Sequence, residues 1–340
     1  MPLKLSFAFY DLPLRHKFEI SRYSVTIQKT VIATVSDGEV SGYGEATANP
    51  YYNATQEKIG ASIARAASVI ASSGGLHPEK LWPQLESVLS GDYFALCAVD
   101  VAYWDYYARK HNKTLRSFWS TGSEALPQTS YTIGIASVSE MRAKILEFPW
   151  PLYKIKLGTH NDMKIVEALR KCTDSPFRVD ANAAWNAETT ITYSKWLKNY
   201  GVEFIEQPLP ASDIEGMRKV RQESYLPCIA DESCQREQDV AACPGSFHGI
   251  NIKLMKCGGI TPALRMIAEA GKANLSVMAG CMTESTFGIS ALAQLAPLLD
   301  YIDCDGALLL ASDIASVVSF ENGRIRYSEN VGSGAVPLSF

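Results

Sequence analysis

Apolar positions recur along this chain on two periods, and the change from one to the other divides it. Within residues 1 to about 60, VTIQKTVIATVS has the β-branched, alternating character of a strand, and SDGEVSGYGEA carries a hairpin signal at Asp37-Gly38. From 56 to 120, apolar residues fall at helical spacing in TQEKIGASIARAASVIASS and FALCAVDVAYWDYYARKHN. Strands followed by helices predict an α+β unit. From about 127 the pattern repeats. Short strand-like runs (TSYTIGI, LYKIKL, FRVDA, VEFIEQ, PCIADE, GINIKL, SVMAGC, YIDCD) alternate with helix-like ones such as DMKIVEALRKCT, AETTITYSKWLKNYG, DIEGMRKVRQES and TPALRMIAEAGKAN. The strand ends follow one another in steps of 24, 26, 25, 22, 28 and 24 residues, from Lys156 through Asp180, Glu206, Asp231, Lys253 and Cys281 to Asp305. Each step fits one βα unit, and right-handed crossovers close such strands into a parallel barrel. After 310, VVSFENGRIRYSE returns to strand and turn character around Asn322-Gly323. With no helix it is not another barrel unit, and it is expected to pack back on the N-terminal domain.

Composition narrows the class. The 340 residues are 47% hydrophobic and 20% charged, with a net charge of -4, which is ordinary for a globular protein. There is no Lys/Arg block, so a nucleic-acid partner is not expected. Lys4 and Asp11 break up the N-terminus as a signal peptide, and no apolar run reaches the length of a membrane span. A cytoplasmic protein is expected. Eight cysteines include no C-x-x-C pair and read as free thiols, not a zinc site.

Barrel active sites lie at the C-terminal ends of the strands. Read as one ring, those ends hold Lys154 and Lys156, Asp180, Glu206, Asp231, Lys253, Cys281, Asp303 and Asp305. Charge at the end of a buried strand is costly unless paired. Any one acid reads equally well as a helix N-cap. Asp180, Glu206 and Asp231 on one period read instead as a shared site for a hard cation such as Mg²⁺. Lys154 and Lys156 alternate in a strand and point the same way. Two neighbouring ammonium groups are expected to lower each other's pKa, which suits a lysine to general-base work. Lys253 is expected three strands further round, roughly across the barrel. Two bases facing each other beside a cation fit removal of a proton α to a carboxylate, and its return on the other face.

These motifs resemble the enolase superfamily, muconate-lactonizing-enzyme subgroup, over nearly the whole chain. The likeness is carried by Lys154-Ile155-Lys156, Asp180-Ala181-Asn182, Glu206-Gln207-Pro208, Ala230-Asp231-Glu232-Ser233 and Asn251-Ile252-Lys253, with Gly42-Tyr43-Gly44-Glu45 and the 98–105 run AVDVAYWD upstream. Lysine bases with Mg²⁺ are the chemistry for which that superfamily is known. The resemblance implies an α/β fold: a modified TIM barrel, (β/α)7β, over 126–310. An α+β capping domain would come from 1–125, with 311–340 packing back on it. It implies an isomerase with one Mg²⁺ per active site on Asp180, Glu206 and Asp231, with Lys156 and Lys253 as acid/base catalysts. Lys154 would tune Lys156 and help hold the substrate carboxylate.

Within the subgroup the chain is most similar to dipeptide epimerases. There an Asp-x-Asp pair, here Asp303-Cys304-Asp305, binds the α-ammonium of the dipeptide; two carboxylates on one strand face suit an ammonium. Thr132 and Arg22 complete the expected substrate contacts, Arg22 in the place of an arginine that binds a glutamate side chain. The first-choice substrate is L-Ala-D/L-Glu. Tyr23, Tyr51 and Tyr52 favour the alternative of hydrophobic dipeptides. A cycloisomerase or o-succinylbenzoate synthase would use the same metal and lysines without an ammonium site, and a non-catalytic binding protein would need neither. A homo-oligomer is compatible with the sequence, which does not give the oligomeric state.

Overall fold

The computed structural model describes residues 2–21, 23–120, 122, 125–316 and 318–338. The N-terminal strands β1 (Lys4–Glu19), β2 (Ser24–Ser36) and β3 (Ser41–Thr47) form an antiparallel sheet in that order. The β2–β3 turn sits where Asp37-Gly38 signalled it. Asp37 Oδ1 accepts the N–H groups of Glu39 (2.9 Å) and Val40 (2.8 Å), and Gly38 supplies the positive φ. Four helices follow: α1 (Gln56–Arg65), α2 (Ala67–Ser72), α3 (Pro78–Leu89) and α4 (Tyr93–Lys110). Thr55 and Asp92 cap α1 and α4 by accepting backbone N–H bonds. Nearly every side of α4 is buried, because one face packs on β2 and β3 and another against the barrel. Gly42 and Gly44 permit that closeness: a β-carbon at Gly42 would lie 2.0 Å from Tyr106 N, and one at Gly44 2.2 Å from Ala98 O.

Eight parallel strands make the barrel: β4 (Tyr131–Ile133), β5 (Tyr153–Lys156), β6 (Phe177–Asp180), β7 (Val202–Glu206), β8 (Cys228–Ala230), β9 (Gly249–Ile252), β10 (Ser276–Gly280) and β11 (Tyr301–Asp303). They pair in chain order, and a parallel bridge between Thr129 and Ile302 brings the first and last together. All eight coincide with the strand-like runs of the sequence. Between them lie α5 (Val138–Glu147), α6 (Asp162–Arg170), α7 (Ala187–Asn199), α8 (Ile214–Glu223), the short α9 (Leu254–Cys257), α10 (Ile260–Lys272) and α11 (Thr286–Ala293). The β8–β9 connection carries a 3₁₀ helix, Glu237–Ala242, in place of an α-helix, and it stops just before Pro244-Gly245. The architecture is the expected α/β (β/α)7β barrel with an α+β cap.

The tail forms β12 (Ala315–Ser316), β13 (Ser319–Glu321), β14 (Arg324–Arg326) and β15 (Val336–Pro337), paired β12–β15 and β13–β14. Its end touches α4: Arg109 donates to the Ala335 carbonyl (2.7 Å), and Ser333 N–H donates to Asp105 (2.6 Å). The end of β1 crosses the barrel mouth, where Ile135 N–H donates to the Glu19 carbonyl (2.8 Å) and Ala311 N–H to that of Pro13 (2.8 Å). Among the described residues no helix is long and apolar enough to cross a membrane.

Candidate active site

The strand ends gather the charged residues of the ring into one buried cluster. Asp180 and Glu206 close β6 and β7, and Asp231 follows β8 by one residue. One carboxylate oxygen from each lies within 4.8 Å of the others, and all three side chains are buried. Lysines surround them. Lys156 Nζ is 2.6 Å from Asp180 Oδ2, and Lys253 Nζ is 2.8 Å from Asp231 Oδ2. Lys154 Nζ is a hub, 2.8 Å from Glu206 Oε2, 2.9 Å from Asp303 Oδ2 and 3.4 Å from Asp180 Oδ2. Asp303 also accepts from Ser130 Oγ (2.8 Å). Asp305 Oδ2 accepts the Thr132 N–H (2.6 Å), and Cys281 Sγ approaches its other oxygen at 3.8 Å.

Burial opposes charge on every member, and neighbours decide the outcome. Asp180 is pushed up by burial, but Lys156 and Lys154 outweigh that and bring its carboxyl to about 2. Asp231 likewise falls well below the usual range through Lys253 and Lys256. Glu206 is pushed up to about 7 by burial and by Asp180, only partly relieved by Lys154. Burial and Asp303 push Asp305 up to about 8, whereas Lys154 wins over burial at Asp303 and lowers it. A third carboxylate that is hard to ionise beside two that are charged shows how much negative potential is crowded here. An all-oxygen donor set of this kind fits a hard divalent cation.

Two expectations need correction. Lys253 stands four strands round from β5, at the end of β9, not three. Neighbouring ammonium groups do not depress Lys154. Burial lowers it, but Asp303, Glu206 and Asp180 together raise it well above the ordinary lysine value. Lys253 is raised too, by Asp231 against burial, with Lys154 pulling the other way. The acids converging from other strands outnumber the one neighbouring lysine that sequence proximity brings to notice.

Lys154, Lys156, Lys253, Asp231, Asp303, Asp305 and Thr132 line one open cleft, whose empty space together with the solvent at its mouth is about 630 Å³. The cap closes its other side with Phe18, Ile20, Tyr23, Tyr51 and Tyr52. Asp180 and Glu206 lie beneath it, with no exposed surface. Arg22 lies outside the described residues.

Three further residues hold this cluster, and the sequence assigned no role to any of them, although Gln207 and Asn251 fall within the motifs that carry the likeness. Lys256 is buried, and its Nζ donates to Asp231 Oδ1 (2.5 Å), the Asp231 carbonyl (2.5 Å) and the Cys234 carbonyl (3.1 Å). Asn251 Nδ2 donates to Glu206 Oε1 (2.8 Å). Gln207 Oε1 accepts from the N–H groups of Asp231 (2.9 Å) and Ser233 (3.0 Å). The available signal was adjacency: Gln207 follows Glu206, Asn251 points to the barrel side of β9 two residues before Lys253, and Lys256 is one turn beyond it.

Comparison with known proteins agrees with this geometry. The family described as "Enolase C-terminal domain-like" matches residues 137–338, and "Mandelate racemase / muconate lactonizing enzyme, N-terminal domain" matches 6–118. The chain is 50% identical to an L-Ala-D/L-amino acid epimerase of Flavobacterium johnsoniae, over 99% of this chain and 100% of the relative. It is 37% identical to an L-Ala-D/L-Glu epimerase of Bacteroides thetaiotaomicron, over 99% and 88%. Its fold superposes with a TM-score of 0.92 on a dipeptide epimerase from Enterococcus faecalis solved with Mg and L-Leu-L-Tyr, at 28% identity, covering 98% of this chain and 99% of that one.

Proposed function

The chain belongs to the mandelate racemase/muconate lactonizing enzyme family of the enolase superfamily, and from that membership we propose that it is a Mg²⁺-dependent dipeptide epimerase, an isomerase inverting the α-carbon of the C-terminal residue. One observation carries the reading. Lys156 of β5, Lys253 just after β9, Asp231 and the Asp303/Asp305 pair all line one cleft, with Asp180 and Glu206 directly beneath it. Close relatives bearing epimerase names support the same conclusion.

Asp180, Glu206 and Asp231 would hold the cation. Bound there, Mg²⁺ supplies positive charge beside the substrate carboxylate, which stabilises the second negative charge that α-deprotonation places on it. The chain's own residues do the rest. Asp303 and Asp305 take the α-ammonium at one end of the cavity. With a cation on Asp180 and Asp231, the carboxylate charge that holds Lys253 protonated is offset; one of Lys156 and Lys253, as the free amine, then takes the α-proton, and the C–H electron pair passes into the carboxylate to give an enediolate. The other, as an ammonium, returns a proton to the opposite face of the same carbon, so each turnover inverts the centre and exchanges the two lysines' protonation states. Lys154 sits between the metal acids and Asp303 and steadies both. The cap residues over the mouth exclude water from the carbanion.

The first-choice substrate remains L-Ala-D/L-Glu. The aromatic cap wall of Tyr23, Tyr51 and Tyr52 supports hydrophobic dipeptides as the second reading. A dipeptide library assayed for α-deuterium incorporation in D₂O with Mg²⁺ tests both. Exchange with Ala-Glu or with apolar dipeptides, lost in EDTA and restored by Mg²⁺, is the expected result, and Lys156→Ala or Lys253→Ala abolishes epimerisation. No exchange with any dipeptide refutes the proposal in favour of a cycloisomerase.

A further inference from the structure

Behind the cavity, where cap meets barrel, two buried carboxyl groups approach the same point at Gly288 with no role in the chemistry above. Glu45 ends the Gly42–Glu45 motif on β3, and Glu284 follows the wall segment 281–283, whose three residues line the cavity. Both are almost wholly buried. Glu45 accepts from every side: Thr30 Oγ1 (2.7 Å), Ser285 N–H (3.0 Å), Gly288 N–H (3.0 Å) and, in a very short contact, Ser285 Oγ. A group that accepts four donors at the start of α11 is a carboxylate. Glu284 Oε1 accepts the Met282 N–H (2.7 Å). Its other oxygen is turned to the same space as Glu45. A β-carbon built at Gly288 would lie 2.0 Å from Glu284 Oε2 and 3.2 Å from Glu45 Oε2. Two ionised carboxylates so nearly buried repel, which favours a proton on one of them. Burial raises both, but Glu45's four donors oppose a proton there, whereas Glu284 has the Met282 N–H alone, so the proton goes to Glu284, which burial and Glu45 push up to about 8.

The wall this pair supports touches the substrate end of the site. Cys281 lies against Asp305, Met282 Sδ against Asn49 Nδ2 (3.8 Å) of the cap, and Gly306, next to Asp305, packs on the Met282 carbonyl. We propose that Glu284 is a positioning residue: its carboxylic acid donates to Glu45 and accepts from the Met282 N–H, so that the cap sheet and the 281–283 wall hold the ammonium end of the cavity as one piece.

An isostere test separates this from a filler role. Glu284→Gln would keep both bonds, the new side-chain carbonyl accepting from Met282 and the new amide donating to Glu45; Glu284→Met fills the same volume and keeps neither. Hydrogen exchange by mass spectrometry on the 281–288 segment is read with Mg²⁺ present. Protection in Glu284→Gln stays within about twofold of wild type, and exchange in Glu284→Met is about tenfold faster or more. The kinetic half rests on the dipeptide reading: KM for the best dipeptide rises about tenfold in Glu284→Met, kcat falls less than threefold, and Glu284→Gln restores KM. Should Glu284→Met fail to fold, Glu284→Asp, whose acid is withdrawn from Met282, takes its place with the same expectation. The proposal is overturned if Glu284→Met or Glu284→Asp keeps wild-type protection, if exchange quickens without a change in KM, or if Glu284→Gln is as impaired as Glu284→Met. If wild type turns over no dipeptide, the functional reading fails on its own, and the exchange comparison still decides for or against Glu284.

Discussion

A single methyl group at Gly280 should weaken Mg²⁺ binding without touching metal or substrate. Gly280 closes β10, and it has no positive φ, so alanine meets no backbone penalty there. The penalty is steric. A β-carbon at 280 would sit 2.7 Å from Asn251 Oδ1, 2.8 Å from Nδ2 and 3.2 Å from Cγ, with Asn251 fully buried and unable to swing into solvent. The amide must move by several tenths of an ångström, and the bond it risks is Nδ2 to Glu206 Oε1 at 2.8 Å. Hydrogen bonds to charged acceptors are worth about 1.5–3 kcal/mol. Loss of that bond frees one of the three carboxylates from its fixed orientation, so Gly280→Ala should weaken Mg²⁺ binding roughly 10- to 100-fold, the range usual for losing a partner that orients a metal ligand. Isothermal titration with Mg²⁺ and the Mg²⁺ dependence of epimerisation measure it. If the effect runs through Asn251, it is non-additive: in an Asn251→Ala background the extra methyl costs nothing further. Wild-type Mg²⁺ affinity in Gly280→Ala, or a full additional loss in the double variant, would refute the reasoning.

Three other predictions follow from the same contacts. Lys256→Met should destabilise the fold by about 1.5–3 kcal/mol, the worth of a hydrogen bond to a charged group, because it strips the donor from Asp231 Oδ1 and from the Cys234 carbonyl while Lys253 still pairs with Asp231 Oδ2; urea unfolding reads it, and Lys256→Arg should not rescue, since the acceptors converge on a point and not on a planar fork. Dipeptide affinity should rise with pH toward 8, because Asp305, held up at about 8, must lose its proton to pair with the substrate ammonium, and fall above it as that α-amino group, with an ordinary pKa of about 7.7–8.0, is itself neutralised; a KM flat from pH 6 to 7.5, or a rising limb that survives in Asp305→Asn, would contradict this. His248, lowered to about 4 by burial and by Arg221, accepts the Cys228 N–H through Nδ1 (3.0 Å). The unfolded chain therefore binds the extra proton first, and stability should decline as pH falls from about 6.5 to 4, a slope that His248→Gln should flatten in denaturation curves measured across that window.

What could be read from the chain depended on whether a residue's partner was local. The eight strands were legible because each is a short apolar run, and the acids and lysines because they end those runs at a constant step. The β8–β9 link, where the sequence offers no helix-like run, carries only the 3₁₀ helix at 237–242, which stops before Pro244-Gly245. The state of Lys154 was not legible: sequence shows its neighbour Lys156, whereas its environment is made by Asp180, Glu206 and Asp303, up to 149 residues away. Asn251, Lys256 and Glu284 were illegible for the same reason. Each acts on a group that only barrel closure or cap docking brings near.

The end of β10 shows how closely different duties are packed. Gly280 faces inward to Asn251 and through it to Glu206, while the chain then turns, and Cys281 to Glu284 face the cavity and the cap. Three residues therefore separate a position that governs the metal from one that governs the wall at the ammonium end. Their defects should cross. Gly280→Ala raises the Mg²⁺ requirement yet keeps a near-normal dipeptide KM once Mg²⁺ saturates, because the wall is still tied to Glu45. Glu284→Met leaves the Mg²⁺ requirement unchanged and raises KM, because Asn251 and Glu206 are undisturbed. A common defect in both variants would mean that the strand end moves as a unit and that the separation argued from these contacts is wrong.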